Sequence, residues 1–341
     1  MQRVPLVSLG FVLIDGTTWS AGVIPFFSHL WQASCPSLTE LEIKVCDWYG
    51  KALNLPEYFL SDTVGTNGGG ILCTGASETH LVCLIAARAR TINRLRGSRK
   101  HIHESVFLPK LVAYTSVEAH SSVEKAALIG LTRLRILETD EHDVFRGETL
   151  KAAMEKDIAD GLTPFFVVAT VGTTSQCAFD NLVEIGQVCR QYESVWFHVD
   201  GAYAGSSFIL PEMAPFKLGL ELADSFNVNP NKLFCTVFDA SVMWVKNKDE
   251  LKASLTVNPL YLHYEKEDKA VDLRNFGITL SRRFRSLKLY SVFRTYGIEG
   301  LQKYIRNHKT LAKHFEQLVN ADPRFEVMND VHLGLVCFRL R

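Results

Sequence analysis

From residue 37 onward, continuously apolar runs alternate with stretches whose apolar positions recur at helical spacing. Ser37 and Glu40 form a capping-box pattern, and Leu38, Leu41, Val45 and Trp48 follow the helical period, predicting a helix that buries that face. The glycine-rich GTNGGG at 65–70 leads into the apolar ILCT, and a second helix pattern runs from Ser77 to Leu95. Strand-like LVAYT (from 111), LRILET (134), PFFVVATV (164) and VWFHVD (195) then alternate with helix-like SSVEKAALIGL (121), GETLKAAMEKDIADG (147) and DNLVEIGQVCRQY (180). Such alternation predicts an α/β protein with a mainly parallel sheet between helices. Runs such as PFFVVATV, apolar at every position, predict strands buried on both faces. In sheets of this kind ligands gather at the carboxyl ends of the strands.

Beyond residue 250 the pattern changes. KEDKAVDLRN, polar and charged between apolar stretches, predicts an exposed, mobile loop. A helical stretch containing SLKLYSVFRTYG and another over 298–319 follow. The closing VHLGLVCFRLR reads as a strand with nothing after it to pair against, an edge liability that predicts a natural domain continuing past residue 341.

Composition narrows the function classes. The chain has 341 residues, 47% of them hydrophobic, which excludes a disordered or fibrous protein and favours two domains. Lys and Arg number 37 against 37 Asp and Glu, so no accumulated positive charge argues for nucleic acid or an anionic membrane, and a small-molecule site is favoured. No segment approaches the roughly 20 apolar residues of a membrane span. The opening apolar run is interrupted by Ser8 and ended by Asp15, and does not read as a secretory signal. Eight scattered cysteines with no CxxC pair suggest neither metal nor redox site; they read as buried thiols of a reducing, cytoplasmic setting.

The sharpest chemical pairing is Asp200, ending VWFHVD, with Lys232 in DSFNVNPNKLF. A carboxylate at a strand end and a lysine in apolar surroundings both need partners, because isolated buried charge is costly. Pyridoxal 5′-phosphate satisfies both: the lysine forms a Schiff base and the aspartate holds the protonated pyridine nitrogen. Taken alone, Asp200 reads equally as a structural cap and Lys232 as a surface lysine. TGASE at 74–78, small residues between a strand and a helix start, suits an anion at a helix N-terminus and equally an ordinary cap. The glycines at 65–70 precede their strand, so the context of a dinucleotide-binding fingerprint is missing and a nicotinamide dehydrogenase is disfavoured.

In order along the chain, TELE (39), GGGILCTGASE (68), AHSSVEKA (119), PFFVVATVGTT (164), FDN (179), HVDGAYAG (198), ADSFNVNPNK (223), NPLYL (258), SRRFRS (281) and LGLVCFRL (333) resemble the pyridoxal-phosphate-dependent aromatic L-amino acid decarboxylases, a group that includes dopa, tyrosine and histidine decarboxylases. The resemblance spans residues 31–341. It implies the aspartate-aminotransferase-like fold (PLP fold type I), with a divergent segment over 1–36, a PLP-binding large domain over 37–288 and the start of a small α+β domain over 289–341. It implies a cytoplasmic homodimer acting on an aromatic L-amino acid.

Position by position, the resemblance makes Lys232 the Schiff-base lysine, Asp200 the pyridine-nitrogen partner, Ala202 the residue under one face of the ring and His120 the imidazole on the other. Ala76, Ser77 and Asn229 match phosphate contacts with Ser225 nearby, Thr174 matches a residue near ring and substrate, and His198 an orienting group. Tyr261 matches the lid tyrosine that protonates the α-carbon after carbon dioxide leaves; with His120 also present, an amine is expected, not an aldehyde. Ser281, before RRFR, stands where dopa-type relatives carry glycine and histidine and tyrosine decarboxylases carry serine, which leaves the three substrates open. Departures include Leu233 for a tryptophan, Gly201 for an alanine, an insertion near 31–36 and truncation at both ends, so a chain that binds PLP or a partner without turnover is the competing expectation. An aminotransferase is disfavoured because no motif assigns an arginine to a second carboxylate.

Overall fold

The computed structural model describes residues 36–99, 101–257 and 272–341. Seven strands form one sheet: β1 (Gly69–Cys73), β2 (Leu111–Ser116), β3 (Arg133–Leu137), β4 (Thr163–Thr170), β5 (Trp196–Asp200), β6 (Ser225–Val228) and β7 (Ser241–Val245). Their order is β1-β7-β6-β5-β4-β2-β3, and only β7 runs antiparallel to its neighbours. Along β4 the faces alternate: Val167 and Ala169 enter one core and Phe166 and Val168 the other. A bulge between Val112 and Ala113 lets β2 pair with Pro164 and then Phe166. Phe165 therefore joins Phe166 in the same core.

Helices α1 (Pro36–Ala52), α4 (Gly147–Ala159) and α5 (Leu182–Arg190) contribute to one core, and α2 (Ala76–Arg96), α3 (Ser122–Ile129) and α7 (Lys248–Leu255) to the other. The four-residue α6 (Pro230–Leu233) follows β6. The helical segment α8 (Ser286–Ala321) breaks at Gly297, φ 61°, which separates the two helical stretches read from the sequence. Its Leu289, Val292, Leu301 and Ile305 share the core of α1.

Several expectations are corrected. α1 begins at Pro36 and buries Thr39, Glu42, Val45, Cys46 and Tyr49, while Trp48 is exposed. The polar Glu42 turns inward because Arg282 meets it there. The final apolar stretch supplies only β9 (Phe338–Leu340), which is partnered, antiparallel, by the preceding β8 (Phe325–Val327). Most of the supposed exposed loop KEDKAVDLRN (266–275) lies outside the described residues, yet its end is interior: Asp272, Leu273 and Arg274 are buried, with Asp272 and Arg274 paired at 2.9 Å. The glycine run at 65–70 does not end before the strand: Gly69 and Gly70 lie in β1, and Gly70 serves close packing, since a Cβ there would come within 2.7 Å of Cys46 Cβ and 2.8 Å of the Trp244 indole nitrogen. Among the described cysteines, five are buried, and Cys235 and Cys337 are partly exposed.

Candidate cofactor site

The parallel strands end their carboxyl termini on one edge, with Ser116 closing β2, Thr170 closing β4, Asp200 closing β5 and Asn229 directly after β6. Asp200 is 3% exposed. Its Oδ1 accepts from the Ala202 N–H at 2.9 Å and from Asn227 Nδ2 at 3.2 Å, while its Oδ2 lies 3.2 Å from His80 Nε2. Two donors fill Oδ1, and Oδ2 keeps capacity for one more. Burial alone would push this carboxyl up; His80, the Ala202 N–H and His198 outweigh it and hold it well below the usual carboxylate range.

His198, fully buried, donates and accepts in a closed chain. Trp196 Nε1 donates to Ser225 Oγ at 2.7 Å, and Ser225 stands 2.7 Å from His198 Nδ1. Asn227 uses its amide N–H on Asp200, so its Oδ1, 2.9 Å from His198 Nε2, accepts from that nitrogen. His198 is thus a neutral Nε2–H tautomer, and burial, with His80 nearby, pushes its pKa down to about 3. This places Ser225 beside His198, with its hydroxyl between Trp196 and that ring.

Backbone bonds tie the next residues together: the Asn229 N–H donates to the Ala202 carbonyl and the Lys232 N–H to the Asn229 carbonyl. Lys232, on α6, is exposed, so the argument that its charge is buried is corrected; it holds for Asp200 alone. The apolar neighbours in the sequence, Leu233 and Phe234, enter the core and anchor α6. His120 is exposed, and its pKa is lowered by partial burial and by the charges of Lys232 and His80 against the opposing pull of Asp200, which brings all four groups into one electrostatic cluster.

At the other end of the site α2 starts at Ala76 behind Gly75, which has no side chain to cap it. Among the described residues no protein acceptor takes the Ala76 or Ser77 N–H, while Glu78 folds back onto Thr74. Ser116 Oγ, Thr170 Oγ1, Asn229 Oδ1 and Asn231 Oδ1 are buried without a partner. Buried polar atoms are normally paired, so four orphans following one sheet edge fit a polar ligand such as pyridoxal phosphate: the two hydroxyls can donate to it, and the two amide oxygens can only accept. Thr174 is exposed in the turn after β4, which Thr173 holds through the Ala178 N–H. Ser281 is exposed beside Arg282, which anchors its segment to Glu42 and the Leu72 carbonyl. Tyr261 lies outside the described residues. The sequence reading missed His80, Ser122 and Asn227; the one available signal was a histidine inside the apolar helix run THLVCLIAA.

A mainly parallel sheet with an ionised aspartate at one strand end and a lysine just past the neighbouring strand defines a PLP fold type I protein. The pyridoxal-dependent decarboxylase conserved domain matches residues 21–341, and the chain belongs to that family. It is 50% identical over 322 residues to the aromatic-L-amino-acid decarboxylase of Mus musculus, covering 94% of this chain and 66% of that one. It is 50% identical over 309 residues to the histidine decarboxylase of Drosophila melanogaster, covering 91% of this chain and 36% of that one. Oryza sativa TDC, solved with PLP and tryptamine, superposes with a TM-score of 0.87 at 36% identity, covering 91% of this chain and 63% of that one. The chain thus spans about two thirds of the length of the first of these relatives.

Proposed function

We propose that the chain decarboxylates an aromatic L-amino acid, of the dopa or 5-hydroxytryptophan, tyrosine or histidine type, to the corresponding amine and carbon dioxide. The observation that carries this reading is Asp200, a buried carboxylate kept ionised at a sheet edge with one acceptor position left on Oδ2. Bound pyridoxal phosphate supplies an electron sink for the charge left at the α-carbon when carbon dioxide departs. Asp200 would hold the ring nitrogen positive, Ala202 would pack against one face of the ring, and His120 would cover the other. The exposed Lys232 amine is free to bond the cofactor carbonyl. Ala76, Ser77 and Asn229 would anchor the phosphate, Thr174 would lie near ring and substrate, and Tyr261 would carry the proton to the α-carbon. Ser281 tunes the side-chain pocket.

Two of the relatives' names, an aromatic-L-amino-acid and a histidine decarboxylase, support an aromatic or imidazole substrate. The domain division at 36/37 and 288/289, a homodimer and a cytoplasmic location belong to the same proposal. Support for the location comes from seven free thiols, and no helix among the described residues is long and apolar enough to cross a membrane.

The test is carbon dioxide release and product analysis with dopa, 5-hydroxytryptophan, tyrosine and histidine in the presence of pyridoxal phosphate, with Lys232→Ala as control. Lys232-dependent release with amine as product is expected. Cofactor bound through Lys232 without release would replace the reading by a binding protein, and aldehyde with peroxide as main products would refute the assigned proton step.

A further inference from the structure

One side chain of the cluster is unused by that reading. His80, the fifth residue of α2, is fully buried, and its two ring nitrogens face different partners: Nε2 is 3.2 Å from Asp200 Oδ2 and Nδ1 is 2.9 Å from Ser122 Oγ. Ser122, the first residue of α3, is itself 2.8 Å from His120 Nδ1. Asp200, His80, Ser122 and His120 thus form a continuous polar chain from the buried carboxylate to the exposed imidazole.

Counting protons along this chain leaves little freedom. The Ser122 backbone N–H donates to His120 Nδ1 at 3.1 Å, so that nitrogen carries a lone pair and the ring proton of His120 sits on Nε2. An oxygen 2.8 Å from a lone pair must point its own proton there, and Ser122 has only one hydroxyl proton. The hydroxyl can then only accept from His80, whose Nδ1 must carry a hydrogen. His80 Nε2, although its N–H is off the line of an ideal hydrogen bond, faces a carboxylate oxygen, where a lone pair would be repelled. A hydrogen on each nitrogen of His80 answers both demands. The second buried histidine cannot take this role: His198, with its ring 5.3 Å from that of His80, is already fixed as a neutral tautomer by Ser225 and Asn227.

We propose that His80 is a positioning residue: as an imidazolium held by Asp200, it orients the Ser122 hydroxyl onto His120 Nδ1, where it adds a second donor to the Ser122 backbone N–H and so strengthens the Nε2–H tautomer of His120. His120 is then a hydrogen-bond donor toward the site and not a base. The same charge helps keep Asp200 ionised, so the group that would hold the ring nitrogen and the group that would cover the ring are set together. The inference rests on the assignment of the site to pyridoxal phosphate for its consequence in catalysis, but not for its proton arrangement.

The experiment is nitrogen-15 NMR of the full chain labelled in histidine, without cofactor, on the wild type, His80→Gln and Ser122→Ala. Expected in the wild type at neutral pH are two protonated nitrogens on His80 and a single proton, on Nε2, for His120. In His80→Gln the amide can donate to Asp200 and accept the Ser122 hydroxyl, which leaves His120 Nδ1 with the backbone N–H alone, so its nitrogen-15 shift should move toward that of an unbonded lone pair; Ser122→Ala should move it the same way. A neutral His80, or a His120 Nδ1 shift unchanged in both variants, would overturn the proposal. If His80→Gln does not fold, the wild-type spectrum and Ser122→Ala decide it.

A kinetic arm separates this inference from the decarboxylase reading. With a substrate that turns over, both variants should lower kcat roughly 10- to 100-fold, the value of one hydrogen bond to a charged group, with KM little changed. Absence of any carbon dioxide release with the expected spectra would overturn the decarboxylase reading and leave the role of His80 standing. Normal release with wrong spectra would do the reverse.

Discussion

The pair Glu42–Arg282 should be among the costliest to break. Glu42 on α1 and Arg282, 240 residues later, have side chains only 6% and 8% exposed. Arg282 Nη1 donates to Glu42 Oε2 at 3.0 Å, Nη2 bonds Oε1, and Nη2 also reaches the Leu72 carbonyl at 2.7 Å; Glu42 Oε1 accepts the Leu72 N–H at 2.9 Å. Burial works against the guanidinium charge, and Glu42 outweighs it, leaving Arg282 still more basic than usual. Glu42→Ala removes that compensation and leaves a buried cation with one carbonyl, so a loss of about 3–5 kcal/mol is expected, with a similar loss for Arg282→Ala. The pair itself is worth far less, because both charges were desolvated to form it. Glu42→Leu with Arg282→Met should therefore fall within about 1–2 kcal/mol of wild type. Urea unfolding followed by tryptophan fluorescence is a suitable assay, since the buried Trp244 indole donates to the Cys46 carbonyl on α1 and reports its docking. A single-variant cost below about 1 kcal/mol, the range of exposed ion pairs, would refute the reasoning.

Gly201→Ala, the residue the family resemblance expects, should cost about 1–3 kcal/mol by overpacking. Its Cβ would stand 2.5 Å from Phe226 Cε2 and 3.0 Å from the Asn227 carbonyl, and Phe226 is locked between Phe208 and Trp244. Adding Phe226→Leu should recover part of that loss, and a fully additive double variant would sink the explanation. Asp180 is buried and accepts the Phe145 and Thr170 N–H groups, yet burial pushes its pKa up from 3.8 to about 7. The native state then holds a proton that the unfolded chain has lost. Its contribution is complete below about pH 4 and disappears as pH rises to 7, up to about 4 kcal/mol. Stability curves against pH should show this fall in wild type and not in Asp180→Asn; parallel curves would contradict it. Asn229→Ala removes an unpartnered buried oxygen, so urea stability of the cofactor-free chain should hardly change. Its dissociation constant for pyridoxal phosphate, by fluorescence titration, should rise roughly fivefold, the worth of the one hydrogen bond that the Asn229 amide N–H would donate to the phosphate; an unchanged constant would remove Asn229 from the phosphate end.

The alternation of apolar runs and helical periods made the parallel sheet legible, because each buried strand announces itself locally through residues such as Phe165 to Ala169. What stayed hidden depends on partners distant in sequence. Glu42 looks like a solvent-facing residue until Arg282 arrives, and Asp272 and Arg274 look like loop charges until they pair with each other inside. Lys232 fails in the opposite direction: its neighbours Leu233 and Phe234 are apolar because they pin α6 to the core, and that says nothing about where the lysine itself goes. Asp200, by contrast, was readable because a carboxylate closing an apolar strand has few places to be except the strand's carboxyl edge.

The two buried histidines show why site chemistry was less legible than fold. His198 and His80 are both wholly buried, with rings 5.3 Å apart, and desolvation disfavours charge on either. What separates them is the donor count of their neighbours. His198 sits between Ser225, whose hydroxyl is free to donate because Trp196 supplies the hydrogen bond it accepts, and Asn227, which must accept because its amide N–H serves Asp200. His80 sits between a carboxylate and a hydroxyl whose proton is drawn to His120, so both of its nitrogens are asked to donate. Those demands come from β5, β6, α2 and α3 at once. A motif can place an imidazole in the site, but only the assembled partners decide where its hydrogens sit, and through the Ser122 hydroxyl the hydrogen on His80 Nδ1 reinforces the tautomer of His120.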